Sequence, residues 1–399
     1  MPPIKWEKQT GKSMTIYLDN SATTRQHNQV TETMIQVMKK EYGNPSSLHR
    51  MGLAAEKLVK KGRGQVAQAI GAMAEEIIFT GGGTESDNMA IRGIAHKRHK
   101  KGRHLITTTI EHPAVVETFC DLEKEGFDVS YIPVDQEGFV DLQQLAQAIT
   151  EETMLISVMN VNNEVGTIQP LEKIAALKGK QGDTIKNDFV FHSDCVQSLG
   201  KLHIPTGCLD LASFSGHKIH GPKGVGALYK KKSVGLVPEQ TGGGQENAFR
   251  PGTENVPGIV GFGLAAEMAE KSLQQRTDTI RAMRDALRQG IIDEIPDVKI
   301  NTPEHDTVCC LLNVSFLGTR GEVLLHTLEQ SGIFVSTGSA CSSKKPGSHV
   351  LSAMGCSAKE VEGAIRFSLS MYNTMEEMEE VIDKTKKAVA TFRRLGTFR

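Results

Sequence analysis

Asp188-Phe189-Val190-Phe191-His192-Ser193-Asp194-Cys195-Val196-Gln197 and, a little further on, Asp210-Leu211-Ala212-Ser213-Phe214-Ser215-Gly216-His217-Lys218 decide the fold of this chain. Each is a short apolar run that ends on polar side chains. Runs of that kind read as strands buried on both faces. Residues 76–80, 104–109, 128–133, 153–159 and 225–229 read the same way, and helix-length segments lie between them at 85–99, 113–125 and 141–148. Such alternation predicts an α/β fold with a mostly parallel seven-stranded sheet covered by helices on both faces.

Past residue 258 the pattern changes to a long helical stretch over 259–292, then strand, helix, strand and helix. The last helix opens on the capping box Thr374-x-x-Glu377, and Met375, Met378, Val381, Ile382, Val389 and Phe392 recur at a spacing near 3.6. A chain of 399 residues exceeds the size at which one core stops growing. We expect a large domain over 16–258 and a smaller α+β domain over 259–399, with residues 1–15 packed on the latter or disordered. Residues 178–187 read as a surface loop.

Lys plus Arg number 46 against 47 Asp plus Glu, so no net field draws the chain to nucleic acid or to an anionic membrane. The first fifteen residues lack an apolar signal core, and no run reaches membrane-span length, which places the protein in the cytoplasm. Seven cysteines form no Cys-x-x-Cys pair and no zinc spacing, so neither a disulfide framework nor a metal site is expected. Cys309 and Cys310, inside an apolar run, read as small buried hydrophobes.

Several polar groups fall at strand ends, where parallel sheets place ligands. Phe79-Thr80-Gly81-Gly82-Gly83-Thr84-Glu85 runs from a strand through three glycines into a helix, which suits a phosphate; nucleotide-binding fingerprints fail here. Lys218 is placed to be a Schiff-base amine, and Asp194 to hold a proton on a pyridine nitrogen, with Gln197 one turn on. His112 and Asn163 also sit at strand ends. Singly, these have plainer readings: a tight turn, a solvated lysine, a structural histidine. Cys341 stands apart in Ser336-Thr337-Gly338-Ser339-Ala340-Cys341-Ser342-Ser343, where Gly338, Lys344 and Lys345 make a polar setting that favours the thiolate.

The chain resembles the cysteine desulfurases of the NifS/IscS type, a class V branch of the pyridoxal-phosphate enzymes. The likeness runs from Tyr17-Leu18-Asp19-Asn20-Ser21-Ala22-Thr23-Thr24 through Gly83-Thr84-Glu85-Ser86-Asp87-Asn88, Val161-Asn162-Asn163-Glu164-Val165-Gly166, Ser215-Gly216-His217-Lys218 and Gly252-Thr253-Glu254-Asn255 to Arg366-Phe367-Ser368-Leu369. It implies the type I fold of pyridoxal-phosphate transferases and the conversion of L-cysteine to L-alanine, with sulfur passed to Cys341 as a persulfide. By the same resemblance Lys218 carries the cofactor, Asp194 pairs with the pyridine nitrogen, Gln197 meets the ring hydroxyl, and His112 stacks on the ring and shuttles protons. Gly83, Thr84, Ser215 and His217 hold the phosphate, joined by Thr253 from the other subunit of a homodimer. Asn163, which also lies at the cofactor, and Arg366 bind the substrate carboxylate. The acceptor implied is a tRNA thiolation enzyme or an iron-sulfur cluster scaffold, and the stretch around Cys341 is most similar to desulfurases serving tRNA thiolation.

Two rival readings fit less well. An aminotransferase or lyase of the same fold needs no thiol, yet Cys341 is present. A serine hydrolase using Ser215-x-x-Lys218 lacks Lys-Thr-Gly and has Ser-Asp-Asn in the wrong order.

Overall fold

A computed structural model of the chain describes residues 15–179, 188–337 and 347–396. Residues 1–14, positions 180–187 of the expected surface loop, and Cys341 with its neighbours lie outside the described residues. After a two-residue strand, Ile16–Tyr17 (β1), seven strands join in one sheet: Ile77–Thr80 (β2), His104–Thr108 (β3), Asp128–Ile132 (β4), Thr153–Ser157 (β5), Val190–Asp194 (β6), Leu211–Ser215 (β7) and Gly226–Lys230 (β8). Their order is β2-β8-β7-β6-β5-β3-β4. Strand β8 is antiparallel to both its neighbours, and the remaining pairs are parallel. The seven expected runs are all present, with their ends shifted by one or two residues.

Both faces of the sheet are apolar because successive side chains point to opposite sides. Ile106, Ile156, Phe191 and Phe214 join one core with the helices Arg50–Ala69 and Val256–Lys271. Their sequence neighbours Leu105, Leu155 and Val190, with Leu211 three residues before Phe214, pack on the opposite side against the helices Gly83–Arg98 and Pro113–Lys124. Either face is closed to water, which explains why these strands read as unbroken apolar runs. Truncating Phe191 to alanine would cost about 3–5 kcal/mol.

Four more strands follow: Val298–Ile300 (β9), Leu311–Phe316 (β10), Ile333–Phe334 (β11) and Ala364–Ser368 (β12). They form an antiparallel sheet β12-β10-β9 and a parallel pair β1-β11, which ties the start of the described chain to its C-terminal third. The helical stretch expected over 259–292 is two helices, Val256–Lys271 and Leu273–Glu294, interrupted at Ser272. The first buries Ile259, Phe262 and Ala266 in the large-sheet core; the second buries Ile280, Met283 and Leu287 with β10 and β12. Ile16 and Leu18 belong to that second core as well. We therefore propose that the division between domains falls at Ser272 rather than at 258, with β1 on the smaller side.

The capping box at Thr374 is formed: its hydroxyl accepts from the Glu377 N–H at 3.3 Å, and the Glu377 carboxylate accepts from the Thr374 N–H at 3.2 Å. Met375, in the first turn, faces solvent and does not belong to the buried stripe. Cys309 and Cys310 are buried as expected, and the six described cysteines are free thiols.

Candidate active site

Strands β2, β3, β5, β6 and β7 all point their C-terminal ends at one edge of the large sheet, and Arg366 of β12 reaches the same edge from the smaller core. A cavity of about 310 Å³ opens there. Its walls hold Gly83, Thr84, His112, Asn163, Asp194 and Gln197, with Ser215, His217, Lys218 and Arg366 completing them. Of the described candidates only Thr253 lies elsewhere, exposed on a separate loop.

Lys218 ends the turn that follows β7, and its amine donates to the carbonyls of Ser21 and Ala22 at 2.6 and 2.7 Å. Burial, then the positive charges of Lys201 and Arg366, bring that amine down to about 8, against the opposing pull of Asp194 and Asp19. A fraction of it is therefore neutral, and nucleophilic, near physiological pH. Asp194 is buried at the end of β6 with one carboxylate oxygen accepting from the Val196 N–H at 2.9 Å. Burial raises its pKa, while His112 and Lys218 oppose the rise. Such a carboxylate favours a cationic partner in the cavity.

His112 caps the helix Pro113–Lys124, its Nδ1 accepting from the Ala114 N–H at 3.1 Å. The neutral ring therefore carries its proton on Nε2. Burial lowers its pKa, so the neutral form prevails. The Gln197 amide donates to the Ser21 carbonyl at 2.9 Å and accepts from Lys201 Nζ at 2.7 Å.

The helix Gly83–Arg98 begins without a side-chain cap, leaving first-turn N–H groups turned to a second hollow beside Ser215, His217 and Lys223. That is an anion cradle with a cation at its rim. Glycine is required where this turn meets the sheet, because a Cβ on Gly226 would come within 2.7 Å of Gly82 Cα. His217 pairs with the Thr23 hydroxyl at 3.1 Å, and burial with the nearby Lys218 holds its ring at about 4, hence neutral.

Several residues here were not singled out from the sequence. Asp19 takes Arg366 Nη2 at 2.8 Å, while Arg366 Nη1 donates to the Asn163 carbonyl at 2.9 Å. Arg366 Nε is buried with no partner among the described residues. Beneath Asp194 lies a buried polar layer. His192 bonds Ser157 at 2.8 Å and Ser213 at 3.0 Å, and burial keeps it neutral, near 3. Asp87 lies 3.7 Å from it with a raised pKa, from burial first and then Asp194. Glu111 is pushed up to about 8 by burial, although it accepts from the Thr108 hydroxyl and the Met159 N–H. Asp87 stands within a quoted motif and Glu111 directly precedes His112, but nothing in their spacing signals burial.

A phosphorylated pyridine aldehyde fits this donor set: open helix N–H groups for the phosphate, a buried carboxylate awaiting a cation, and a partly neutral lysine. The pattern of the aminotransferase class-V family matches residues 16–381. The chain belongs to that family. It is 42% identical over 389 residues to the cysteine desulfurase IscS of Dictyoglomus turgidum, covering 96% of this chain and 97% of that one. The cysteine desulfurase IscS of Methanosarcina thermophila is likewise 42% identical, with 98% and 96% covered. Among solved structures, a NifS-like protein superposes with a TM-score of 0.88 at 40% identity, covering 95% of this chain and all of that one. A structure described as SspA in complex with cysteine gives 0.77 at 37% identity, with 90% of this chain and 100% of that one covered. Family members use pyridoxal 5′-phosphate. Among the described residues, no helix is long and apolar enough to cross a membrane, and no cluster of side chains has metal-binding geometry.

Proposed function

We propose that this chain is a pyridoxal-phosphate-dependent cysteine desulfurase that carries sulfur on Cys341. The balanced conversion is L-cysteine plus the Cys341 thiol giving L-alanine plus the Cys341 persulfide. One observation carries the reading: a lysine amine brought to about 8 shares a single cavity with a buried carboxylate, a neutral histidine and an arginine.

Bound pyridoxal phosphate supplies an electrophilic carbonyl and a ring that withdraws electrons from the substrate α-carbon. The protein's own groups do the rest. Asp194 keeps a proton on the ring nitrogen, and the first turn of the helix at Gly83 and Thr84, with Ser215 and His217, holds the phosphate. Arg366 and Asn163 orient the substrate carboxylate. His112, neutral and protonated on Nε2, is placed over the cavity to pass protons. Lys218 and His112 are bases that line this cavity and would move the α-carbon proton, and the Cys341 thiolate takes the sulfur.

Thr253 lies outside its own subunit's cavity, which favours its serving the other subunit of a homodimer. Leu48 is fully exposed and Tyr42 largely so, with Ile35, Met38 and Leu53 also exposed along the same run of chain, which supports pairing through this segment. The persulfide would pass to an acceptor protein in the cytoplasm, a tRNA thiolation enzyme or a cluster scaffold. Borohydride reduction of the cofactor-loaded protein followed by peptide mapping tests the central assignment. The cofactor is expected on Lys218; finding it on Lys223 would overturn the site.

A further inference from the structure

Behind Lys218, on the side away from the main cavity, lies a smaller hollow of about 30 Å³, the space of roughly one water molecule. Lys218 and Lys201 both line it, and Arg276 closes it with Cys309 and Cys310. No aspartate or glutamate contributes to this wall. Lys201 and Lys218 share the wall of this one small hollow, and charges in a partly buried space interact more strongly than in water.

Lys201 is held in place. It follows Gly200, whose φ is +69°, a conformation glycine adopts freely. A Cβ at Gly200 would also come within 2.9 Å of the Ala269 Cβ. Arg276 Nη2 donates to the Gly200 carbonyl and, at 3.0 Å, to that of Ala269, locking the turn to the helix Val256–Lys271. The Lys201 ammonium then donates to Gln197 Oε1 at 2.7 Å. An ammonium has only donors, so this bond settles which end of the amide is which. Gln197 Nε2 is left to bond the Ser21 carbonyl with one N–H and to offer the other to the main cavity.

We propose that Lys201 is a positioning residue of this site: it fixes the Gln197 amide with its donor end toward the cofactor and sets a positive charge beside the Lys218 amine. The inference rests on the reading of Lys218 as the residue that carries the cofactor. Of the charged groups facing Lys218, Lys201 is the strongest in lowering its proton affinity, ahead of Arg366, and Asp194 and Asp19 act the other way. His112 and His217 are both neutral. On the Lys201 side, His220 is held neutral near 4 by burial. Cys310 is the one group there able to answer the charge, since the Cys309 thiol and then Lys201 and Arg284 favour its thiolate against burial.

The test is made on cofactor-free protein. The pH dependence of Lys218 reductive methylation, read by peptide mass spectrometry, reports the amine directly. Lys201→Met and Lys201→Gln should raise its midpoint by about one unit, cutting the methylation rate near pH 8 several-fold, while Lys201→Arg leaves it in place. Lys201→Gln carries the test alone if the methionine variant does not fold. A midpoint in Lys201→Gln equal to that of the parent would overturn the proposal. If instead borohydride fixes the cofactor on another lysine, the reading of Lys218 fails while the methylation result still stands for Lys201.

Discussion

Arg366 and Asp19, 347 residues apart in sequence, form an ion pair of 2.8 Å in the wall of the active-site cavity. The guanidinium is thereby fixed by Asp19 and the Asn163 carbonyl, with Nε lacking a partner among the described residues. A buried N–H without an acceptor costs free energy that an incoming carboxylate can recover. Lysine in place of arginine keeps the charge and loses the fork that binds a carboxylate with two hydrogen bonds. Arg366→Lys should therefore raise KM for L-cysteine roughly 10- to 100-fold, and Asp19→Asn should raise it less, because the arginine is then freed but still present. Steady-state kinetics on both variants checks this. An unchanged KM in Arg366→Lys would remove Arg366 from substrate binding.

Glu111 gives a pH-dependent stability of defined sign. In the folded protein it holds its proton up to about 8, whereas in the unfolded chain it releases it near 4.5. Between those values the folded state binds more protons than the unfolded state, so stability falls as pH rises. The contribution is fully present below 4.5 and is lost as pH rises through 8. Glu111→Gln removes this dependence while keeping a carbonyl oxygen for the Met159 N–H and the Thr108 hydroxyl. The melting temperature of the cofactor-free variant, relative to the parent, should be higher at pH 9 than at pH 5. An equal difference at both pH values would mean Glu111 is ionised throughout.

Legibility of this molecule in its sequence followed the range of the interactions. The large sheet was readable because β3, β5, β6 and β7 are buried on both faces, and a run such as Leu155 and Ile156 shows that without tertiary knowledge. The ligand-edge residues were readable because they follow those runs. Contacts between distant segments were not. Nothing near Asp19 in the chain marks it as the partner of Arg366, and the polar layer of Asp87, Glu111 and His192 resembles ordinary surface polarity until helix Gly83–Arg98 closes over it. The break at Ser272 was hidden because no glycine or proline stands near it to end a helix. Cys356 has no basic residue beside it in sequence, yet Lys299 lies 3.6 Å from its sulfur, brought there from β9.

The exposed run of Ile35, Met38, Tyr42, Leu48 and Leu53 predicts a stable dimer. Sedimentation velocity at micromolar concentration should show a two-chain species, and Leu48→Asp combined with Tyr42→Asp should give monomers. Thr253→Ala should weaken pyridoxal phosphate binding in the dimer, measured by titrating cofactor-free protein. A monomeric parent with full cofactor affinity would contradict the cross-subunit role of Thr253.

Cysteine reactivity offers the sharpest separation of sulfur transfer from cofactor chemistry. Cys309 and Cys195 are buried, and burial contributes to pushing both thiols up, so neither is a ready nucleophile. Cys310 is favoured as thiolate by its neighbour but is closed in by the same core. Cys356 lies on the helix-turn segment beside Lys299, outside the main cavity, and burial raises its pKa above the ordinary thiol value. Cys341, by contrast, sits among Gly338, serines, Lys344 and Lys345, a setting that favours the thiolate. Cys341→Ala should abolish sulfide release from L-cysteine under reductant, and the protein should still bind pyridoxal phosphate and show the spectral change on adding L-cysteine. Cys356→Ala should retain near-normal turnover. Alanine and sulfide measured for the two variants decide the matter: turnover that survives in the first, or is lost only in the second, would place the acceptor thiol elsewhere.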